Sequence, residues 1–296
     1  MTKSVAEYLN QLKKELAGCD SATIQDALSD AEEHLRTALS NLAKEDLGIK
    51  EADALPAIIE EYGSAEETAA AYRDIEARMY PALAHPKQAN GRSAFARFFG
   101  VLAEPRAWGA LFYMLISLVT GTIYFSWAVI GLSTSIGLII LIIGLPVTGL
   151  FLLSVRGIAL VEGQIIEALL GVRMPRRRLF VAENIGIWEK SKTLISDKHT
   201  WLVLTYMVLM MPLGVLYFSV FVILISLALS FLAVPVVQLL FHIPVVHIIN
   251  ASYFMPNWSL PLMVIAGILT FFATMHLAKI VGQFHGKFAK TMLVSE

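Results

Sequence analysis

The chain has a single cysteine, Cys19, so no disulfide can form within it, and a polar setting for that thiol suits a reducing compartment. Formal charge is missing over two long stretches: no Asp, Glu, Lys or Arg occurs from Trp108 to Val155, nor from His199 to Ala278. A water-soluble domain does not leave such runs uncharged, whereas one membrane crossing needs about 20 apolar residues. Catalytic signatures are also missing. There is no Gly-rich phosphate loop, no His-Glu-x-x-His and no Gly-x-Ser-x-Gly. No carboxylate is expected in mid-span, where ion-coupled transporters and intramembrane proteases use one. The protein is therefore not expected to be an enzyme, no catalytic residue is assigned, and no cofactor or metal is expected. Lipid chemistry using only His, Ser and Tyr stays open. No cleavable signal peptide is expected, because the first 80 residues are charged and helical in pattern.

The charges that exist are segregated. Residues 1–80 carry 8 Lys/Arg and 17 Asp/Glu, whereas residues 81–296 carry 15 and 7. An overall net charge of −1 thus hides an acidic head and a basic-edged membrane body. The body repeats itself. Trp108, Tyr113, Met114, Gly121, Tyr124, Phe125 and Ser126 return 93 positions later as Trp201, Tyr206, Met207, Gly214, Tyr217, Phe218 and Ser219. A second echo, Ala159-x-x-x-Gly163-Gln164 against Ala278-x-x-x-Gly282-Gln283, lies 119 positions apart. The two halves, about 104–178 and 196–296, share a beginning and an end, and the second carries an insert at about 230–257.

In the head, Val5, Leu9, Leu12 and Leu16 keep helical spacing, and Ile24, Leu28, Leu35, Leu39 and Leu42 continue it in a second helix from about Ser21. A third runs from about Glu51 to Tyr62 and stops at Gly63; Ser64 and Glu67 then form a capping box for a fourth. Pro81, Pro86, Asn90 and Gly91 mark a linker. The segment Asp30-Ala-Glu-Glu-His34, followed by Leu55-Pro-Ala-Ile-Ile-Glu-Glu-Tyr-Gly-Ser-Ala-Glu-Glu-Thr-Ala69 and Tyr72, resembles the HAAS-type signalling domain of bacteria over most of residues 4–78.

The first uncharged stretch reads as two spans turning at Gly131–Ser135. The second reads as spans near 201–226 and 259–278 with the insert between them. Every Lys and Arg of the body falls on one side of this arrangement, so both termini are expected in the cytoplasm of a bacterial inner membrane. Pro146, Pro212 and Pro235 are expected to kink or interrupt spans. Glu104-Pro-Arg-Ala-Trp108, Ser196-Asp-Lys-His-Thr-Trp201, Pro212-Leu-Gly-Val-Leu-Tyr-Phe218, Gly144-Leu-Pro146 and Arg156-Gly-Ile-Ala-Leu-Val-Glu162 resemble the "putative sensor" domain of some actinobacterial histidine kinases and stand-alone relatives. That resemblance covers about 95–290 and implies sensing or signalling, with no activity or ligand attached.

The expected fold is all-α: a cytosolic helical head over 1–80, a linker over 81–100, and a four-span membrane domain over 101–296 built from two similar hairpins. Tyr124, Ser126, Tyr217 and Ser219 put hydroxyls into apolar spans, where each needs a partner, so they are expected at the interface between hairpins, as packing glue or as a pocket. With Arg156 and His276 they are the ligand-binding candidates. Glu32, Glu33, Glu60 and Glu61 are the partner-binding candidates of the head. Arg173, Arg176, Arg177 and Arg178 follow an amphipathic segment in which Glu162 belongs to the polar side, and they suit the anionic membrane surface. His242 and His247 lack metal-ligand spacing and accompanying carboxylates. With Tyr253, Phe254 and Trp258 the insert reads as an outer cap. The function expected is a non-enzymatic sensor or adaptor linking an envelope or lipid-phase signal to a soluble cytosolic regulator. A structural subunit of a membrane complex and a lipid-binding protein remain the alternatives. Partners expected are the bilayer and a soluble or membrane protein, not nucleic acid; a homo-oligomer is left open.

Overall fold

A computed structural model describes residues 4–45, 51–78, 98–138, 144–177, 187–248 and 251–294. The head contains α1 (Val5–Glu15), α2 (Ser21–Glu45), α3 (Glu51–Tyr62) and α4 (Ala65–Arg78). Val5 and Leu12 of α1 and Leu16 just after it are buried as the spacing predicts and pack with Ala27, Ala31 and Leu35 of α2, Leu55 and Ile58 of α3, and Ala65 and Ala69 of α4, whereas Leu9, Ile24, Leu28, Leu39 and Leu42 are only partly buried around them. A fully buried leucine contributes about 1.5–3 kcal/mol. Tyr8 pins the layers together, donating from its buried hydroxyl to the Gly63 carbonyl at 2.9 Å. Gly63 sits at φ +109°, a conformation that favours glycine, and so ends α3. The capping box forms: Ser64 N–H donates to Glu67 Oε2 at 2.9 Å, and Glu67 N–H to Ser64 Oγ at 3.2 Å.

Among the described residues, four helices are long and apolar enough to cross a membrane. We label them α5 (Pro105–Leu138), α6 (Gly144–Leu170), α8 (Lys198–Phe241) and α9 (Leu260–Leu293), with the short α7 (Ile187–Ser196) between the second and third. The fold is thus all-α in its head and in its membrane body. A two-strand antiparallel hairpin, β1 (Val246–Ile248) and β2 (Ala251–Tyr253), is the described exception.

Three sequence expectations change. Gly131–Ser135 is not a turn but helix, because α5 continues to Leu138 and Gly131 lets the Phe151 ring approach where a Cβ would overlap it. The insert expected at 230–257 is half helix, since α8 runs to Phe241. It ends at His242, at φ 54°, just before Pro244. Pro212 and Pro235 lie inside α8 without ending it. The linker expected at 81–100 lies almost wholly outside the described residues.

The residues divide into two compact units. One comprises Met1–Ala84, Tyr124–Val208 and Lys287–Glu296; the other comprises His85–Ile123 and Leu209–Gly286. In the second unit Gln238, buried on α8, anchors the end of the hairpin: its amide donates to the Met255 carbonyl at 2.7 Å and its Oε1 accepts from Met255 N–H at 2.9 Å.

Candidate functional site

The repeat proves to be a set of structural devices. Trp108 Nε1 donates to the Leu102 carbonyl at 2.9 Å, and its counterpart Trp201 donates to the Ile195 carbonyl at 2.7 Å. Each indole therefore satisfies the carbonyl six residues before it. In the second unit the paired glycines meet the opposite chain reciprocally. A Cβ on Gly121 would collide with the Met210 carbonyl, and one on Gly214 with the Ser117 carbonyl. Ser117 and Met210 are themselves 93 apart, so α5 and α8 cross with the i-to-j, j-to-i contacts of a local twofold.

The repeated tyrosines are distributed in the same crossed way. In the first unit Tyr124 donates to Glu162 Oε2 at 2.8 Å and Tyr206 to Glu162 Oε1 at 2.9 Å. In the second unit Tyr113 meets His285 Nε2 at 2.7 Å and Tyr217 meets His285 Nδ1 at 3.3 Å. A neutral imidazole donates from one nitrogen and accepts at the other, so it can serve both tyrosines. Each polar centre takes the first tyrosine of one copy and the second of the other. The shared scaffold thus holds two unlike residues, a carboxylate and an imidazole.

A family model described as "Putative sensor" matches residues 113–293, and one described as HAAS matches residues 7–71. The chain belongs to the "Putative sensor" family. Its HAAS head precedes the sensor domain, and the two mark a signalling or regulatory membrane protein. No curated protein and no solved structure matches the chain.

In the sensor domain the carboxylate of the first polar centre is Glu162, in the C-terminal third of α6 and not in mid-span. It is 1% exposed, while its neighbour Val161 is 55% exposed, so the assignment of Glu162 to a polar outer side fails. The physical reason is that both of its oxygens are met by tyrosines. Ser126 and Ser219 do not face an interface either. Both are exposed, because two helical residues turn the side chain about 200° away from Tyr124 and Tyr217. Nor do Tyr124 and Tyr217 share a partner. His276 donates from Nε2 to the Phe98 carbonyl at 3.1 Å and stacks on the Phe98 ring, which gives it an anchoring contact in the second unit.

Arg156, also on α6, pairs with Asp197 and donates through Nη2 to Thr200 Oγ1 at 3.1 Å. Burial pushes the Asp197 carboxyl up, but the His199 backbone N–H, Arg156 and Thr200 together hold it below the usual carboxylate range. Arg156 lines a narrow cleft in the first unit with Gln25 of the head, Met174, Arg177, His199 and Leu293.

Beside the cleft, the HAAS head is joined to the segment that follows α6. Asp26, on α2, is 6% exposed and accepts from Arg176 N–H at 2.8 Å and Arg177 N–H at 2.9 Å. Burial raises its carboxyl above the ordinary range, against the pull of those two N–H groups and of Arg173. Arg173 lies 3.5 Å from both Asp26 and Glu167, Arg176 2.6 Å from Glu167, and Arg177 pairs with Asp30. Lys290 adds a 2.5 Å contact to Asp20. Three of the four arginines assigned to the membrane surface therefore have carboxylate partners within the protein, and Arg178 lies outside the described residues. Among the partner candidates Glu32 pairs with Arg36 along its helix and Glu33 reaches Arg177 at 4.0 Å, whereas Glu60 and Glu61 are exposed on α3.

Sequence reasoning missed Glu162, Asp26, Asp197, His199 and His285. A signal existed for Glu162 and His285: Tyr113 and Tyr206 were already visible as repeated polar residues in apolar helices, and each needed a partner. For Asp26 nothing distinguished one acid among many.

Proposed function

We propose that the protein is a non-enzymatic regulatory adaptor of a bacterial inner membrane, with both termini cytoplasmic. In this reading the sensor domain responds to an envelope or lipid-phase signal, and the HAAS head passes the response to a soluble cytosolic protein of basic character. The observation that carries it is the seat of Asp26: a buried carboxylate of the head accepts two backbone N–H groups from the segment leaving α6. A head kept apart only for solubility would not need a shaped contact of this kind. The one-sided distribution of Lys and Arg in the body supports the orientation. The acidic surplus of the head, with Glu60 and Glu61 exposed, supports a basic partner.

The test is affinity capture with the full-length protein in mild detergent, beside a variant carrying Glu32→Gln, Glu33→Gln, Glu60→Gln and Glu61→Gln. A soluble protein retained by the wild type and lost by the variant is expected. Stoichiometric recovery of membrane proteins with both forms would favour an accessory subunit instead, and capture unchanged by the four substitutions would overturn the adaptor reading.

A further inference from the structure

The cleft beside the head has a composition that points to a ligand. Its polar lining consists of two guanidinium groups, Arg156 and Arg177, the imidazole of His199 and the amide of Gln25; the rest is apolar, including Met174 and Leu293, and no carboxylate lines it among the described residues. His199 is 9% exposed, and its Nδ1 has no hydrogen-bond partner among the described residues. A buried ring nitrogen left open normally costs stability unless something occupies it. Arg156 and Arg177 are each paired with a carboxylate that is not in this lining, so the cleft is edged by cationic groups and suits an oxyanion, and guanidinium forks match tetrahedral phosphate geometry better than a lone ammonium does.

We propose that this cleft binds a phosphate-type oxyanion, either a phospholipid head group or a free phosphate, and that the oxyanion replaces Asp30 on Arg177 and so loosens the head. This rests on the docked-head reading given above and names the regulator of that contact.

The two carboxylates are held differently. Asp26 is buried, and its oxygen is fixed by backbone N–H groups that no soluble anion can carry away. Asp30 is different. Its Oδ2 accepts from Tyr62 at 3.2 Å and from Tyr72 at 3.0 Å, so it stays hydrogen-bonded when Arg177 leaves. The Arg177 side chain is 51% exposed, and an ion pair so exposed to water holds weakly. The cleft is also narrow, so an entering group must move a wall. The wall able to move is the half-exposed Arg177 side chain, which belongs to the head contact; Arg156 is held by Asp197 and Thr200.

The experiment uses the full-length protein in phosphate-free maltoside micelles. It is titrated separately with inorganic phosphate, with phosphatidylglycerol, and with diacylglycerol as the phosphate-free lipid. Binding is read by isotope-labelled phosphate retention or by lipid adducts in native mass spectrometry, and head docking by amide hydrogen exchange over 21–45. One phosphate-bearing probe is expected to bind and to speed exchange in α2 at least threefold, while diacylglycerol does neither; which probe acts identifies the source. Arg177→Gln and His199→Phe are expected to weaken binding at least tenfold, with exchange in α5 and α6 unchanged as evidence of an intact body. Binding without faster exchange in α2 overturns the exchange step. No binding of either phosphate-bearing probe, or wild-type binding by His199→Phe and Arg177→Gln alike, overturns the site. If α2 is unprotected before any probe is added, the docked-head reading fails on its own, and retention of the probe still decides whether the site exists. If α2 is protected and stays so with every probe, the docked head stands and this proposal falls.

Discussion

Tyr62 and Tyr72 come from different helices of the head and donate to the same oxygen of Asp30. Burial, then the adjacent Asp30 charge, holds both hydroxyls well above the ordinary tyrosine range. In an unfolded chain a tyrosine ionises near pH 10. A folded value raised above that leaves the stabilisation fully present below pH 10 and removes it as pH climbs through the raised value. The head is therefore expected to keep its packing to about pH 10 and to lose it progressively above. An ultraviolet titration of tyrosinate checks this: subtracting Tyr62→Phe/Tyr72→Phe from the wild type should leave amplitude only on the alkaline side of pH 10. Amplitude at or below pH 10 would mean that the two hydroxyls are not held by Asp30. Tyr124 and Ser126 look equivalent as hydroxyls in an apolar run, but two helical steps separate a buried donor to Glu162 from an exposed serine.

At the scale of elements, the capping box at Ser64 and the left-handed Gly63 were legible because each is a local device whose partners lie within a few residues. The ends of α5 and α8 were not. Gly131 looked like a turn, yet a glycine against a Phe151 ring is a packing choice made by a residue twenty positions away. The repeat was legible as duplication, but its function as a crossing was not, since close approach of two backbones is a tertiary fact. That crossing makes a sharp prediction. Gly121→Val or Gly214→Val puts side-chain atoms where an opposing carbonyl lies, and overpacking of this kind costs about 1–3 kcal/mol or more. Gly137, on the same helix α5, has open space around it, so Gly137→Ala should be neutral or stabilising by up to about 1 kcal/mol. Thermal unfolding in detergent separates the two. Gly121→Val and Gly214→Val as neutral as Gly137→Ala would show that the crossing does not need its glycines.

Across the whole molecule, an acidic head and a basic-edged body invite the view that the two are held by opposite charge alone. The geometry of the first unit argues otherwise. Arg177 and Arg176 are about half exposed, and such pairs contribute roughly 0.2–1 kcal/mol each and weaken with salt. Asp26 is held mainly by backbone N–H groups, and truncating it removes the acceptor of two part-buried donors, which together costs about 1–3 kcal/mol. Raising the salt from about 0.05 to 0.5 M, where the screening length falls several-fold, should speed amide exchange in α2 by less than about tenfold. Asp26→Ala should exceed tenfold even at low salt, since about 1.4 kcal/mol is a factor of ten. Asp26→Asn keeps an acceptor for both N–H groups and should fall between them. Were salt to release the head fully while Asp26→Ala left it docked, the contact would be a diffuse attraction between charged surfaces, and a change confined to Arg177 could not control it.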